Sequence, residues 1–454
     1  MWFLFLSLVE SQHLPMYLFP LDINMLTNFN NKIVTGTNVI DLYDEYSFRS
    51  FNMIINPINF SIMTSNPVLE KDVGCLLITD YNTEHAKVLN NVKCSFKGSV
   101  GSLRICLDEY GNDNGNCRRL SLQVKSKPSK YIFNGMASDL SLMSERTAFY
   151  LMNKFGMYAP LSSHAKLFLN GKYVGIYSFV EPIDETFTKT RFGNDKTQGK
   201  GGLYKDLWFN PLHFKDIKDA HKDGLDEKEF LKRVMAGILT TTESKKYLMR
   251  YFDMASFINM TAFNTAIGNT DDWRQRHNFY VYVRLGRLNQ KKIVFLPWDY
   301  DRLYDQNSAN RGALKGSPWW DYSRIPCNIM IISSQEKAQR TAQNLAQITW
   351  YKDIYDQLPP DVDVPITCDK FTRMIADAYG NEIRQRTKYF INRINLLELR
   401  NKWNTWTNQI RTALQYDIKG PTISDALLEQ QKLYNSFTFS MQKALSEIAL
   451  VETG

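Results

Sequence analysis

Two pairs of carboxylates and an asparagine lie within one short stretch of the sequence, GNTDDWRQRHNFYVYVRLGRLNQKKIVFLPWDYDRL. Asp271 and Asp272 precede Asn278, and after two apolar runs the second run ends at Asp299 and Asp301. A carboxylate at the end of a buried strand is costly unless a cation neutralises it. Mg²⁺ prefers oxygen ligands of this kind and often shares them with substrate phosphates. The stretch therefore predicts a metal site; the alternative is two Asp-rich turns whose side chains cap backbone N–H groups.

The composition is that of a globular protein with a mild positive charge. Of the 454 residues, 44% are hydrophobic and 22% are charged, and the formal net charge is +8. The basic residues are spread along the chain without a dense Lys/Arg tract, so we predict no nucleic-acid partner. No apolar run approaches the length that crosses a bilayer, so we predict no membrane span.

The first residues and the cysteines bear on the compartment. The opening block MWFLFLSLVESQ is typical of a short signal segment over residues 1–11, although it lacks a basic start; the alternative is an apolar strand. The six cysteines form no CxxC pair, which disfavours a zinc site. Cys106 and Cys117 bracket a polar loop that a disulfide could close in an oxidising compartment. These features favour a secreted or cell-surface protein over a cytoplasmic one.

Alternating strands dominate residues 75–180 of the sequence, with one helix among them. We expect this helix to begin after Ser138-Asp139, which supplies a suitable N-cap. Asn170-Gly171 lies between the last two of these strands, and this dipeptide predicts a tight hairpin.

The remainder of the sequence predicts an α+β fold of two lobes. Residues 1–74 are interpreted as an N-terminal extension, residues 75–184 as a sheet-rich lobe with one helix, and residues 185–450 as a mainly helical lobe. The second lobe carries a β-hairpin over residues 279–298, and the carboxylates lie at the two ends of that hairpin.

Four motifs occur in order along the chain, namely LFLNGKYVGIYSFVEPIDETF, RFGN…GGLYK, NTDDW…HNFYVY and FLPWDYDRL. Together they resemble the spore-coat-protein-H (CotH) kinase family of atypical protein kinases, over roughly residues 92–400. The resemblance implies a bilobal protein-kinase-like fold that binds ATP with Mg²⁺ or Mn²⁺. The sheet-rich lobe would hold the nucleotide, and the helical lobe would carry the catalytic and metal-binding residues.

The resemblance also implies roles for the carboxylate stretch, and ordinary protein kinases use the same order of acid, Asn and later acid. Asp299, with Asp301 beside it, is implied to hold a metal ion on the nucleotide phosphates, and Asn278 is implied as a second metal ligand. Asp271 or Asp272 is implied to orient or deprotonate the acceptor hydroxyl. The spacing from the preceding Asn favours Asp271.

Phosphoryl transfer also needs positive charge against the phosphates. Lys125, at the end of a strand, is the first candidate, and Lys205, at the end of GGLYK, is the second. Glu145 in the predicted helix could pair with Lys125, as a strand Lys pairs with a helix Glu in kinases. Glu181 follows a strand where a kinase hinge would meet the adenine. The alternatives are a solvated lysine for Lys125 and a first-turn acid that favours the helix dipole for Glu145.

Two function classes follow from these residues. The first is an atypical protein kinase that transfers the ATP γ-phosphate to Ser or Thr of a protein substrate. The second is a secreted or surface protein without catalysis, a pseudokinase that uses the same fold for adhesion or binding. The segment FKGSVGS supports the second class, because it lacks the full glycine pattern of a kinase phosphate loop.

Overall fold

The fold is described from a computed structural model of the 454-residue chain. The structure describes residues 42–44, 46–65, 71–97, 119–126, 130–137, 139–192, 201–205, 215–216, 225–269, 272–273, 278–285, 290–301, 303 and 364–453. The signal segment predicted over residues 1–11 and the disulfide predicted between Cys106 and Cys117 lie outside these residues.

The first sheet is a closed barrel of seven strands. In hydrogen-bonding order these are β1 (Arg49–Ile54), β2 (Val73–Thr79), β3 (Lys87–Phe96), β4 (Leu122–Lys125), β5 (Lys130–Asn134), β7 (Lys172–Val180) and β6 (Ser162–Leu169). All neighbours are antiparallel except β1 and β6, which are parallel.

The closure of the barrel corrects the sequence prediction of a kinase-like first lobe. Phe51 on β1 lies opposite Thr79 on β2 and also opposite Leu167 on β6, so both edges of β1 are paired. This strand comes from the segment that the sequence assigned to an extension over residues 1–74. Because β1 has no free edge, the sheet closes on itself.

Aromatic side chains fill the interior of the barrel. The ring of Phe51 lies 5.0 Å from that of Phe133 and 4.8 Å from that of Phe179, measured between centroids. All three side chains are fully buried. They come from strands in which alternate residues face the core, and burial of each contributes roughly 2 kcal/mol. Aromatic residues, which are frequent in the sequence, thus pack in the barrel core.

The hairpin predicted at Asn170-Gly171 is confirmed. Leu169 pairs with Lys172 across the turn, and the φ angles of the two turn residues are 48° and 82°. Positive φ at both positions is the conformation that the Asn-Gly dipeptide favours. The side chain of Asn170 also accepts from the backbone N of Ile55 at 2.8 Å and donates to its carbonyl at 3.0 Å, which anchors the turn.

Helices make up most of the remaining described residues. They are α1 (Pro57–Thr64), α2 (Ser144–Lys154), α3 (Glu185–Phe192), α4 (Leu225–Thr240), α5 (Ser244–Tyr251), α6 (Met254–Ile267), α7 (Val364–Arg393), α8 (Leu396–Leu414) and α9 (Ile423–Thr453). A second sheet has the order β11 (Lys291–Pro297), β10 (Phe279–Leu285), β8 (Gly202–Lys205) and β9 (Lys215–Asp216). No helix among the described residues is long and apolar enough to cross a membrane.

The chain divides into two compact units, each built from separate pieces of sequence. Unit 1 comprises Met1–Arg146, Leu161–Pro182 and Asn401–Gln430, and unit 2 comprises Thr147–Pro160, Ile183–Arg400 and Gln431–Gly454. Unit 1 contains the barrel, and unit 2 contains the second sheet with most of the helices. The mixed α+β class is as expected, but residues 401–430 belong with the barrel although the sequence assigned them to the second lobe.

A disulfide joins two neighbouring strands of the barrel. Cys75 on β2 is bonded to Cys94 on β3, and their Cα atoms lie 5.9 Å apart. Both cysteines are buried in the barrel core. The sequence did not single out this pair.

Candidate functional site

The base of the β10–β11 hairpin in unit 2 brings together residues from both ends of the carboxylate stretch. The register places Phe279 opposite Pro297, so the residues just outside the ladder are neighbours. The backbone N of Trp298 donates to the carbonyl of Asn278 at 3.1 Å, and Nδ2 of Asn278 donates to the carbonyl of Asp299 at 3.2 Å. The prediction that the hairpin folds back to bring its ends side by side is therefore confirmed.

The backbone at this base is held in an uncommon conformation. Asn278 and Asp299 have φ angles of 56° and 62°, in the left-handed region. Among residues with a Cβ, Asn and Asp tolerate this region best. Such conformations persist where the surrounding structure determines them, and they cluster at functional sites. A β-branched residue at either position would add strain.

Asp272 is held by a buried amide on the preceding helix. Its side chain is almost fully buried, and Oδ2 accepts from Nδ2 of Asn264 on α6 at 2.7 Å. Oδ1 of the same Asn264 accepts from the hydroxyl of Tyr300 at 2.7 Å. Tyr300 lies in sequence between Asp299 and Asp301. One amide thus links the first carboxylate pair to the segment that carries the second.

The loop that carries Asp272 is also anchored by its neighbour and by the helix end. Nε1 of Trp273 donates to Oγ1 of Thr261 at 3.0 Å, and its ring lies 4.8 Å from the ring of Phe257. Gly268 ends α6 with a φ of 73°, and a Cβ there would clash with the side chain of Ser440. A glycine is therefore required where the chain leaves α6 for the loop.

Asn264 and Tyr300 were missed by the sequence reasoning. Asn264 lies in MASFINMTAFNTAI, a helix whose side chains are buried over most of its length. An amide in so apolar a helix needs hydrogen-bond partners, because unpaired buried polar groups are costly. The presence of a polar Asn264 in an apolar helix was therefore the sequence signal that could have identified it.

The remaining predicted members of this site are partly described. Asp299 and Asp301 are half-buried. Asp271 lies outside the described residues. Lys205 on β8 pairs with Tyr280 on β10, and its Nζ lies 5.8 Å from the Tyr280 ring centroid. Since Tyr280 is the second residue of β10, this register brings Lys205 close to the base of the hairpin.

The donor set at the hairpin base fits a hard divalent cation in its chemistry. The carboxylates of Asp299 and Asp301 and the amide oxygen of Asn278 are oxygen donors, which Mg²⁺ and Mn²⁺ accept. Within the described ranges, no three His, Cys, Asp or Glu side chains cluster as a metal site. A metal held here would therefore need the amide or a substrate phosphate to complete its coordination.

In unit 1, the predicted ion pair between Lys125 and Glu145 is wrong. Nζ of Lys125 pairs instead with Asp72, at 2.8 and 2.9 Å from its two carboxylate oxygens. The reason is strand alternation: Leu122 and Val124 of β4 face the barrel core, which turns Lys125 outward. Glu145 is fully buried, and its carboxylate accepts from Asn134 and Ser178 rather than from Lys125.

Glu145 is held by neutral donors at the start of α2. Nδ2 of Asn134 donates to both carboxylate oxygens, at 2.9 and 3.0 Å, and Oγ of Ser178 donates to Oε2 at 2.7 Å. The helix begins at Ser144, five residues after the predicted cap residue Asp139, whose side chain accepts from the backbone N of Ser144 at 2.8 Å. Burial raises the pKa of Asp139, although the hydrogen bonds from Ser141 and Ser144 oppose this shift.

Glu181 closes the end of the β6–β7 ladder. Its Oε2 accepts from the backbone N of Leu161 at 2.9 Å, and its own backbone N donates to the Leu161 carbonyl at 2.9 Å. The carboxylate is almost fully buried. This arrangement fixes the turn out of the barrel, and the predicted contact of the neighbouring backbone with adenine remains a prediction.

A comparison with protein families gives a match over more than half of the chain. The family model described as CotH kinase protein matches residues 101–436, which is most of the chain.

Curated relatives are similar at low identity. Spore coat protein homolog 1 of Rhizopus delemar is 21% identical over 318 residues, covering 63% of this chain and 52% of the relative. Inner spore coat protein H of Bacillus subtilis is 23% identical over 184 residues, covering 38% of this chain and 49% of the relative. Invasin CotH7 of Rhizopus delemar is 20% identical over 333 residues, covering 67% of this chain and 54% of the relative. The chain spans about half the length of the curated relatives it matches.

Among solved structures, the chain is similar to the Helicobacter pylori proinflammatory kinase CtkA. The match covers 60% of this chain and 94% of that chain, with 12% sequence identity and a TM-score of 0.24. A score of this size supports no argument about shared architecture.

Proposed function

Because the chain belongs to the CotH kinase protein family, we propose that it is an atypical protein kinase. It transfers the γ-phosphate of ATP to Ser or Thr of a protein substrate, with Mg²⁺ or Mn²⁺. The observation that carries the proposal is the base of the β10–β11 hairpin. There Asn278 contacts Asp299 across 21 residues of sequence, with Asp301 following.

In this proposal the residues of unit 2 have separate roles. Asp299, Asp301 and Asn278 hold the metal, which neutralises charge on the phosphates during transfer. Asp272 is buried and bonded to Asn264, which suits a residue that fixes the loop. Asp271 is then the acid that orients or deprotonates the acceptor hydroxyl.

Incorporation of radiolabel from γ-labelled ATP tests the proposal. With Mg²⁺ or Mn²⁺, the purified chain should label itself or a generic basic protein. Asp299→Ala should lower the rate at least 100-fold, because it removes a metal ligand in the transition state. Asp377→Ala, on the exposed face of α7, is the matched control and should label at the wild-type rate. Undiminished labelling by Asp299→Ala and Asp301→Ala alike would refute the metal assignment.

A second function is a secreted or surface binding protein that has lost catalysis. Its support is the pairing of Lys125 with Asp72, which leaves the expected Lys–Glu pair unformed. One relative is named an invasin and two are named spore coat proteins. These names, together with the Cys75–Cys94 disulfide, support a secreted or surface location for either function.

Thermal unfolding with and without nucleotide separates the two functions. A nucleotide at 100 times its dissociation constant stabilises the folded state by about 2.7 kcal/mol. The kinase proposal expects an upward shift with ATP and Mg²⁺, and adenosine alone should shift the midpoint less. No shift at millimolar ATP favours the non-catalytic binding protein.

A further inference from the structure

Two arginines stack on one exposed tyrosine near the end of α7, in unit 2. The guanidinium carbon of Arg386 lies 4.9 Å from the centroid of the Tyr389 ring, and that of Arg393 lies 4.8 Å from the same centroid. The three positions are separated by three and four residues, so they lie on one face of the helix. We call these three side chains the Arg–Tyr–Arg face.

The two guanidinium groups of this face are not neutralised. Neither forms an ion pair or a hydrogen bond with another described residue, and their contacts are with aromatic rings. Glu382, one turn before Arg386, is bonded to Lys245 at 3.3 Å. Lys388 in turn is bonded to Glu452 at 2.5 Å. A guanidinium stacked on a ring keeps its N–H donors at its edge, so both arginines retain the fork that binds carboxylates.

The surface beside the two charges offers apolar contact. Tyr389 is 37% exposed, and Leu397, four residues after Arg393, is 67% exposed. Tyr and Arg are enriched at the centres of protein interfaces. The helix dipole favours a cation in the last turn, where Arg393 lies, but its effect does not extend two turns back to Arg386. The composition of the face is therefore that of a binding surface.

The spacing of the arginines indicates the chemistry of the partner. Their positions are two turns apart, which is roughly 10 Å along the helix axis. Two carboxylates on a partner helix, also two turns apart, match this spacing and meet one guanidinium each. A single phosphate group is much smaller than this separation and would have to draw the arginines together. Charge and spacing together favour an acidic protein segment.

We propose that the Arg–Tyr–Arg face docks an acidic helical segment of a partner protein. The two guanidinium groups bind carboxylates two turns apart, and Tyr389 and Leu397 contact apolar side chains of the same segment. This surface is additional to the hairpin base, and it serves the kinase and the non-catalytic binding protein alike.

Fluorescence anisotropy with a labelled synthetic peptide tests the proposal. The probe is an Ala-rich helical peptide of about 20 residues, with Glu and Leu each repeated at two-turn spacing. The full chain should bind this peptide at about 20 mM salt, and raising the salt to about 300 mM should weaken binding. A peptide with Gln in place of each Glu should bind at least about 10-fold more weakly. Absence of binding by the wild type would overturn the proposal.

Single substitutions assign the binding to the face. Arg386→Gln and Arg393→Gln should each weaken binding at least about 3-fold, because each removes one charged hydrogen-bond donor group. Arg373→Gln is the matched control, since it removes the same charge from an exposed position on the opposite side of α7. This control should bind within about 2-fold of the wild type. Equal losses in all three variants would show that only the net charge matters. Far-UV circular dichroism checks that each variant folds.

Competition experiments test the choice of partner. If about 10 mM inorganic phosphate displaces the peptide more than chloride at equal ionic strength, the face is a site for single anions and the proposal is wrong. Equal affinity for a single-stranded oligonucleotide of matched charge would contradict a protein partner. The thermal shift with ATP and Mg²⁺ should be the same in wild type and Arg386→Gln. Failure of the proposed function therefore leaves this test unchanged, and failure of the docking proposal leaves the kinase proposal standing.

Discussion

The loop that carries Asp272 depends on the side-chain amide of Asn264. It is buried on α6, donates to Asp272 at 2.7 Å and accepts from Tyr300 at 2.7 Å. Removing it takes a hydrogen bond from a buried carboxylate and an acceptor from a buried hydroxyl. The loss of such bonds is costly because both groups stay away from water.

Asn264→Leu should therefore lower the free energy of unfolding by about 3 kcal/mol, because one of the two groups left without its partner is a charged carboxylate. Tyr300→Phe, which removes only the hydroxyl, should cost about 1 kcal/mol. Denaturant unfolding followed by circular dichroism measures both. Asn392→Leu, exposed on α7, is the control and should change little. Equal stability of Asn264→Leu and this control would show that the amide is not needed.

His164 is a buried neutral imidazole in the barrel unit. Its Nε2 bonds to the carbonyl of Leu142 at 2.6 Å, and Nδ1 faces the Arg146 guanidinium at 2.7 Å. Burial lowers the pKa of His164 to about 3, and the nearby Arg146 charge adds to this effect. In the unfolded chain the imidazole of His164 binds a proton once the pH falls below its ordinary pKa of about 6.5. In the native state the same imidazole stays neutral until the pH falls to about 3.

The stability contributed by neutral His164 is thus fully present above pH 6.5 and is lost as the pH falls toward 3. Between pH 6.5 and 5, the wild type should lose about 2 kcal/mol more than His164→Gln. Urea unfolding at the two pH values measures the difference. His85→Gln, at an exposed position, should follow the wild type. The same pH dependence in wild type and His164→Gln would contradict the assignment.

At the scale of single elements, the β2–β3 pair is cross-linked by Cys75 and Cys94, which are 19 residues apart. A disulfide closing a loop of this size stabilises by about 3 kcal/mol, mainly by restricting the unfolded chain. Reduction of the disulfide should lower the unfolding midpoint of the wild type. The unfolding midpoint of the Cys75→Ser/Cys94→Ser variant should not change through loss of this bond when a reductant is added. Non-reducing peptide mapping of protein made in an oxidising compartment should recover the two linked peptides. Recovery of both as free thiols would rule the bond out.

The β10–β11 hairpin shows how one element positions a site. The antiparallel register alone brings Asn278 to Asp299, because a hairpin returns the chain to its starting point. The left-handed backbone at both residues then ends the ladder. The alternating runs in the sequence were enough to foresee this element, and its base follows from it.

At the scale of the whole molecule, an ion pair joins parts of unit 1 that are 298 residues apart in sequence. NH1 of Arg119 lies 2.6 Å from Oδ2 of Asp417, and the two side chains are 1% and 0% exposed. The same Oδ2 accepts from the backbone N of Ile176 at 2.9 Å. Gly175 has a φ of 135°, and a Cβ there would lie 2.9 Å from both Asp417 oxygens. The ion pair therefore accounts for the glycine in YVGIY.

Asp417→Ala should destabilise the protein by about 3–5 kcal/mol, because it leaves a buried guanidinium without its counter-charge. Asp72→Ala breaks the exposed pair with Lys125 and should cost about 1 kcal/mol or less. Guanidinium unfolding of the two variants beside the wild type gives the comparison. If both variants lose the same stability, the buried pair does not hold residues 401–430 on the barrel.

The sequence by itself determined the features that depend on neighbouring residues. The turn at Asn170-Gly171, the alternating strands and the hairpin that carries Asn278 and Asp299 follow from local backbone preference and periodicity. Only the tertiary structure decided the features that depend on distant segments. These are the closure of the barrel by β1, the pairing of Lys125 with Asp72, and the amides of Asn134 and Asn264 between charged or polar partners. The physical reason is that a side chain's partner is set by which strands and helices pack beside it, and no local pattern encodes that choice.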